Sequence, residues 1–212
     1  MTDVTYSIDG KLFSSYSVYV SGTSGIVEKP EMKEPLSADY GAMNGVMYDL
    51  SAPRYKERKI SIKCFVEAYG YDDFLTKMEG FLGLFMGAGL HTLVIDTGSG
   101  SPLVYAVFSR DVINPDKEWN DTHFVGTFTL NLVEPDPVKM VVRVSGSSSA
   151  ISFSSGTPVN IYWGDGSATY GTTTGGSHTY SDGGGTHYVI VAGDVDNISG
   201  LSGGTVVWSK LI

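Results

Sequence analysis

Hydrophobic and polar residues alternate along Lys59 to Glu67. Ile60, Ile62, Cys64 and Val66 fall on one face, and Lys59, Ser61, Lys63, Phe65 and Glu67 on the other. A period of two marks a half-buried strand. It recurs from Phe124 to Glu134, with Phe124, Phe128, Leu130 and Leu132 inward and Val125, Thr127, Thr129 and Asn131 outward. Between these segments the period changes. Phe74, Leu75, Met78, Phe81, Leu82 and Phe85 form one helical stripe, which predicts an amphipathic helix over Asp72 to Met86. Asp72 or Asp73 suits its start and Gly87 and Gly89 its exit. Core packing is the expected role of the stripe.

Further strands are predicted around these. Val4 to Ile8 and Lys11 to Ser14 flank Asp9-Gly10, a favoured hairpin turn. Tyr16 to Val20 follows. Leu90 to Asp96 and Val104 to Ser109 are joined by Gly98-Ser99-Gly100-Ser101. Pro30 to Met47 reads as irregular, broken by Pro30, Pro35, Gly41 and Gly45. It is long for a structureless loop, and such loops are often functional or ordered by a partner. Later strands are expected at Val141 to Ser145, Ala150 to Phe153, Val159 to Trp163, Tyr188 to Ala192 and Val206 to Trp208. Loops are expected at Ser145 to Ser149 and Thr172 to Ser177.

Composition supports this mainly β reading. The 27 glycines punctuate strands, the 13 tyrosines favour them, and only 17% of residues are charged. The net charge of −9 is unevenly spread. Residues 1–136 hold 11 basic and 19 acidic residues, whereas residues 137–212 hold 3 and 4. This shift predicts two domains, 1–136 and 137–212, divided near Pro135-Asp136-Pro137. An acidic chain argues against a phosphate-tracking nucleic-acid binder. No apolar run is long enough for a membrane helix. One cysteine, Cys64, excludes an internal disulfide framework and is expected to fill the core.

The order of elements from Tyr6 to Val133 resembles the N-terminal domain of siphophage distal tail proteins. The likeness rests on several features in sequence. They are an opening strand pair, a loop bearing proline and glycine, and the entry Arg54-Tyr55-Lys56-Glu57-Arg58-Lys59-Ile60 into an alternating strand. One amphipathic helix, the strand at Leu93 to Thr97 and a long last strand follow. The resemblance implies a β-sandwich with one helix, and a ring of six copies at the distal end of a tail tube. Arg54, Lys56, Arg58 and Lys59 read as a solvated strand edge that resists aggregation. The functional alternative is a subunit interface facing an acidic neighbour.

A second resemblance lies in the rear half. Trp163-Gly164-Asp165-Gly166-Ser167, then His178-Thr179-Tyr180, then a closing Gly185-Thr186 strand through Val189 resemble the PKD-type immunoglobulin-like repeat. This implies a C-terminal PKD/Ig-like β-sandwich of the spacer or adhesive kind. Residues 193–212 run past that pattern, either adding a strand or packing on the first domain.

No catalytic, cofactor or metal site is predicted. Asp72-Asp73 sits at a helix start, where carboxylates meet the orphan amides. His91, His123, His178 and His187 show no metal-ligand spacing. His178 is expected to play a structural hydrogen-bonding part. Asp165 and Asp182 lie in glycine-flanked loops, where turn stabilisation is expected ahead of Ca²⁺ binding. Gly98-Ser99-Gly100 and Gly183-Gly184-Gly185 lack the Lys-Ser/Thr or the helix of a phosphate loop.

The expected function is that of a structural phage or prophage tail-tip protein, part of a distal tail or baseplate hub. It is expected to be made in the bacterial cytoplasm without a signal peptide and carried in the virion. Its expected partners are further copies of itself, tail-tube and tail-tip proteins and, as an option, a surface glycan, with no nucleic acid and no membrane insertion; Tyr162 and Tyr170 could stack on sugar, but packing or plain exposure is at least as good a reading. A bacterial surface or adhesion protein with a PKD-like module is the alternative. A glycan hydrolase stands third, for want of a recognisable carboxylate pair.

Overall fold

The computed structural model describes residues 4–111, 113, 115–119 and 123–212; residues 1–3, part of the opening stretch, lie outside the described residues. The protein is mainly β with one helix. In chain order the front half contains β1 (Thr5–Ile8), β2 (Lys11–Leu12), β3 (Val18–Ser24), β4 (Ser37–Ala38), β5 (Met47–Tyr48), β6 (Arg58–Ala68), α1 (Tyr71–Gly83), β7 (His91–Asp96), β8 (Leu103–Ser109), β9 (Asp116–Trp119) and β10 (Phe124–Glu134). The rear half contains β11 (Lys139–Gly146), β12 (Ser148–Ser155), β13 (Val159–Tyr162), β14 (Ala168–Thr172), β15 (Gly175–Thr179), β16 (Gly185–Ala192), β17 (Ile198–Ser202) and β18 (Thr205–Leu211).

The front sheet has the order β2-β1-β7-β8-β10-β6-β3, with β9 also on β10. β8 and β10 share only two residue pairs, Leu132 with Ser109 and Val133 with Phe108. Residues from both arms of the sheet nevertheless share one core with α1. The helix fits because Gly126 on β10 has no side chain: a Cβ there would lie 2.8 Å from the Phe74 ring.

Three local boundaries differ from expectation. The Asp9-Gly10 turn has φ of 48° and 78°, as a type I′ turn requires. β2 stops at Leu12, however, and Phe13–Tyr16 forms a 3₁₀ turn. That turn drives Phe13 edge-on against Phe81, with ring centroids 4.9 Å apart. At the helix start neither Asp72 nor Asp73 occupies the N-cap, which is Gly70. Asp73 reaches back instead, accepting from the Tyr69 amide at 2.9 Å and from Lys77 at 2.8 Å. The helix ends at Gly83, and the Leu84, Phe85 and Met86 amides bond three residues back.

The rear half has two sheets, β14-β13-β16-β11-β18 and β15-β12-β17, around their own core. The loops expected at Ser145 to Ser149 and Thr172 to Ser177 are corrected. β11 runs to Gly146 with β12 beginning at Ser148, and Gly175–Thr179 pairs with β12. Both expectations for the tail hold at once. β17 and β18 each join a sheet, and Trp208 Nε1 donates to the Pro102 carbonyl at 2.8 Å.

A third core lies between the halves. Val104 and Ala106 of β8 pack with Val141, Tyr162, Ile190 and Ala192 of the five-stranded sheet. Tyr105 and Val107 of β8 point into the front core. β8 is therefore buried on both faces, and the layers run continuously through the molecule.

A charged cluster closes the junction. Arg58 opens β6, Glu134 ends β10 directly opposite it, and Lys139 opens β11. Arg58 Nε donates to Glu134 Oε2 at 3.1 Å, and Lys139 Nζ lies 2.5 Å from Glu134 Oε1. The Tyr105 ring lies beside both cations, 5.6 Å from Arg58 Cζ and 4.7 Å from Lys139 Nζ. Burial pushes the Glu134 carboxyl up and the Lys139 ammonium down, each opposed by its partner's charge. Removing one member leaves buried charge uncompensated. Glu134→Ala is predicted to cost about 3–5 kcal/mol, read as a lowered midpoint in chemical denaturation.

Candidate assembly interface

The segment expected to be irregular is a two-stranded ribbon. Met32 bridges Tyr55, the Lys33 amide bonds to the Arg54 carbonyl at 2.8 Å, and the Lys56 amide to that of Glu31 at 2.7 Å. Further out, Ser37 pairs with Tyr48 and Ala38 with Met47. The chain then turns back between Tyr40 and Val46. Every residue from Asp39 to Arg54 is exposed.

This arm carries large apolar side chains into solvent. Leu36 is 81% exposed, and Tyr40, Met43, Met47, Tyr48 and Leu50 each exceed 50%. An isolated two-stranded ribbon is marginal in water at best, so it needs a surface to cover it. Contiguous exposed apolar residues mark interaction sites.

The basic run at the base of the arm divides. Arg58 is corrected from a surface edge to the interior. Besides the Nε bond to Glu134, its Nη1 donates to the carbonyls of Gly25 at 2.9 Å and Glu28 at 2.6 Å, while Nη2 is buried without a hydrogen-bond partner. The register opposite Glu134 is what buries it. Lys56 pairs with Glu31 at 2.6 Å on the surface, and Arg54 lies 3.9 Å from Asp194 of the rear half. Lys59 points outward from β6.

The Trp163–Ser167 segment forms a hydrogen-bonded knot. Trp163 is buried, with its indole N–H donating to Thr169 Oγ1 at 3.0 Å. Gly164 has φ of 96°, and a Cβ there would lie 2.9 Å from the Tyr188 carbonyl oxygen. Glycine alone meets both demands. Asp165 Oδ1 accepts from the Ser167 amide at 3.1 Å and from its hydroxyl, while Oδ2 accepts from His178 Nε2 at 2.7 Å. His178 stacks on Trp163 with centroids 5.4 Å apart, and Tyr180 donates to the Trp163 carbonyl at 3.1 Å. Burial raises the Asp165 carboxyl, but the Ser167 and His178 hydrogen bonds outweigh it and hold the group below its ordinary value. Asp182 closes its own turn, accepting from the Gly184 amide at 3.1 Å.

An open cleft lies between the halves beside this knot. Asp9, His91, Asp165, Asp182 and His187 line it. The Asp9 and Asp165 carboxylates are each engaged by protein donors. Among the described residues no three His, Cys, Asp or Glu side chains converge to hold a metal ion. Of the roles open to Tyr162, packing is the one observed: it is buried in the shared core, which rules it out as a sugar platform. Tyr170 is 62% exposed and meets the Tyr162 ring edge-on at 6.1 Å. Cys64 is buried, and burial pushes its thiol up to about 12, which leaves it inert.

No family model and no curated protein matches the chain. Among solved structures it is similar to the SPP1 Dit (gp 19.1) protein, titled a paradigm of the hub adsorption apparatus in Gram-positive infecting phages. The two are 11% identical over 94% of this chain and 99% of that one, with a TM-score of 0.47.

The knot has a measurable acid limb. A carboxyl held below its unfolded value stabilises the fold above about pH 4, and that contribution disappears as pH falls through the folded value. Asp165→Asn is predicted to cost about 1.5–3 kcal/mol at neutral pH. Its denaturation curve should converge on wild type in acid.

Proposed function

We propose that the protein is a structural component of a phage tail tip and assembles through its arm with further copies of itself. The observation that carries this is the outer part of the ribbon, residues 36–50, whose large apolar side chains stand exposed while its base at Arg54 lies beside Asp194 of the rear half. A folded monomer gains little from such an element; a neighbouring copy that covers it gains a large apolar contact. The order of elements that resembles distal tail proteins agrees with a ring, and six is the number that resemblance implies. Arg54, Lys56 and Lys59 flank the base of the arm and suit an acidic neighbour, as a chain of net charge −9 supplies.

In this reading the rear unit is the PKD-like module that the ring presents. Its three-stranded sheet turns alternate side chains outward, and contact with tail-tube and tail-tip proteins or a surface glycan would fall there. The mechanism is docking, with no bond made or broken, and the product is a virion part.

The test replaces residues 36–50 with a short glycine-serine turn and compares sedimentation velocity across concentration. The intact chain should show a concentration-dependent oligomer. The shortened chain should stay monomeric with an unchanged denaturation midpoint. An intact chain that stays monomeric at high concentration, with tail-tube protein present, would remove the proposal's support.

A further inference from the structure

The cleft between the halves contains a pairing that neither the arm nor the knot uses. His91 begins β7 and is only 5% exposed. Its Nδ1 donates to Asp9 Oδ2 at 2.6 Å, and Asp9 Oδ1 accepts from the Thr92 amide at 2.7 Å. Its other nitrogen, Nε2, is buried without a hydrogen bond. The backbone just past the end of α1 lies close by: a Cβ on Gly87 would be 3.8 Å from Nε2. Helix C-termini favour positive charge.

Asp9 also faces the rear half. A Cβ on Gly166 would lie 3.2 Å from Asp9 Oδ2, so the hairpin turn of one half abuts the motif turn of the other. The charges around this contact are mostly negative. Asp9 and Lys11 face it from the front hairpin, Asp165 from the motif turn, and Asp182 and His187 from the loop before β16 and from β16 itself. His178 stands behind Asp165 as its hydrogen-bond partner. With the histidines neutral, three carboxylates meet one lysine across the seam.

We propose that Asp9 and His91 form a protonation-dependent clasp: an imidazolium at position 91 neutralises Asp9 where it abuts the Gly164–Ser167 turn, and loss of that proton loosens the two halves at this edge. The hydrogen bond to Asp9 raises the His91 imidazole above its ordinary value; burial opposes it, and the Asp9 charge adds to it. A group raised in this way stabilises the fold fully below about pH 6.5, and the contribution is lost as pH rises through the folded value. The clasp therefore holds in mild acid and relaxes as pH rises through the folded value, while the shared apolar core keeps the halves together.

Hydrogen exchange of the full chain reads this directly. With intrinsic rates corrected, protection of the peptide spanning 163–168 should fall about threefold or more as pH rises from about 6 through the His91 midpoint in wild type. His91→Gln should flatten that dependence and leave the three-stranded sheet unchanged. Equal pH dependence in His91→Gln and wild type would overturn the clasp. If the variant does not fold, an NMR titration of wild type decides. The Gly166 amide should titrate with the midpoint of the His91 ring, and a Gly166 amide that ignores His91 would overturn the proposal equally.

Discussion

The arrangement depends on one strand that is apolar on both faces. β8 sends Tyr105 and Val107 into the front core and Val104 and Ala106 toward the rear sheet. A strand buried twice cannot be exposed on either side without uncovering several fully buried side chains, each worth about 1.5–3 kcal/mol. This ties the orientation of the rear half to the front half. The neighbouring elements follow from it: Trp208 bonds to Pro102, Asp9 meets the Gly166 turn, and Tyr162 is covered. Two β units joined by a short segment thereby become one stack of layers.

The charged cluster fixes where the chain crosses between them. Glu134 and Lys139 flank residues 135–138, and Arg58 anchors Glu134 from the neighbouring strand. Ion pairs of this kind add little net stability over apolar side chains of the same size, because desolvation offsets the attraction. They do punish misplacement. A register slip of one residue on β6 or β10 would leave a buried charge unpaired. A rigid junction and a projecting arm together suit an assembled part.

Much of this was legible from local pattern. The period of two along β6 and β10 marked both strands and their buried faces. The helical stripe marked α1, whose Phe74, Met78 and Phe81 are buried. What escaped were features set by distant partners. Arg58 sits in a basic run and looks like its neighbours, and distant partners make it internal: Glu134, 76 residues away, and the Gly25 and Glu28 carbonyls. β15, with the sequence Gly-Gly-Ser-His-Thr, has no apolar signal and exists because β12 offers backbone partners. The arm has no alternation because both faces of its outer part are exposed, which leaves proline and glycine as the local signal there. The runs Val104–Val107 and Val189–Ala192 did contain the signal for two-sided burial: continuous apolar residues where a half-exposed strand would alternate. The histidine and aspartate pairs escaped for another reason. Asp9 and His91 lie 82 residues apart and meet only through strand pairing.

The central claim is that the arm is covered by another copy of this chain. A photoreactive phenylalanine analogue at Tyr48, activated in the assembled protein and mapped by mass spectrometry, tests it at the residue itself. The account predicts attachment to a second copy of the chain. Attachment only to residues of the same copy, or none at concentrations where the protein is oligomeric, would contradict it.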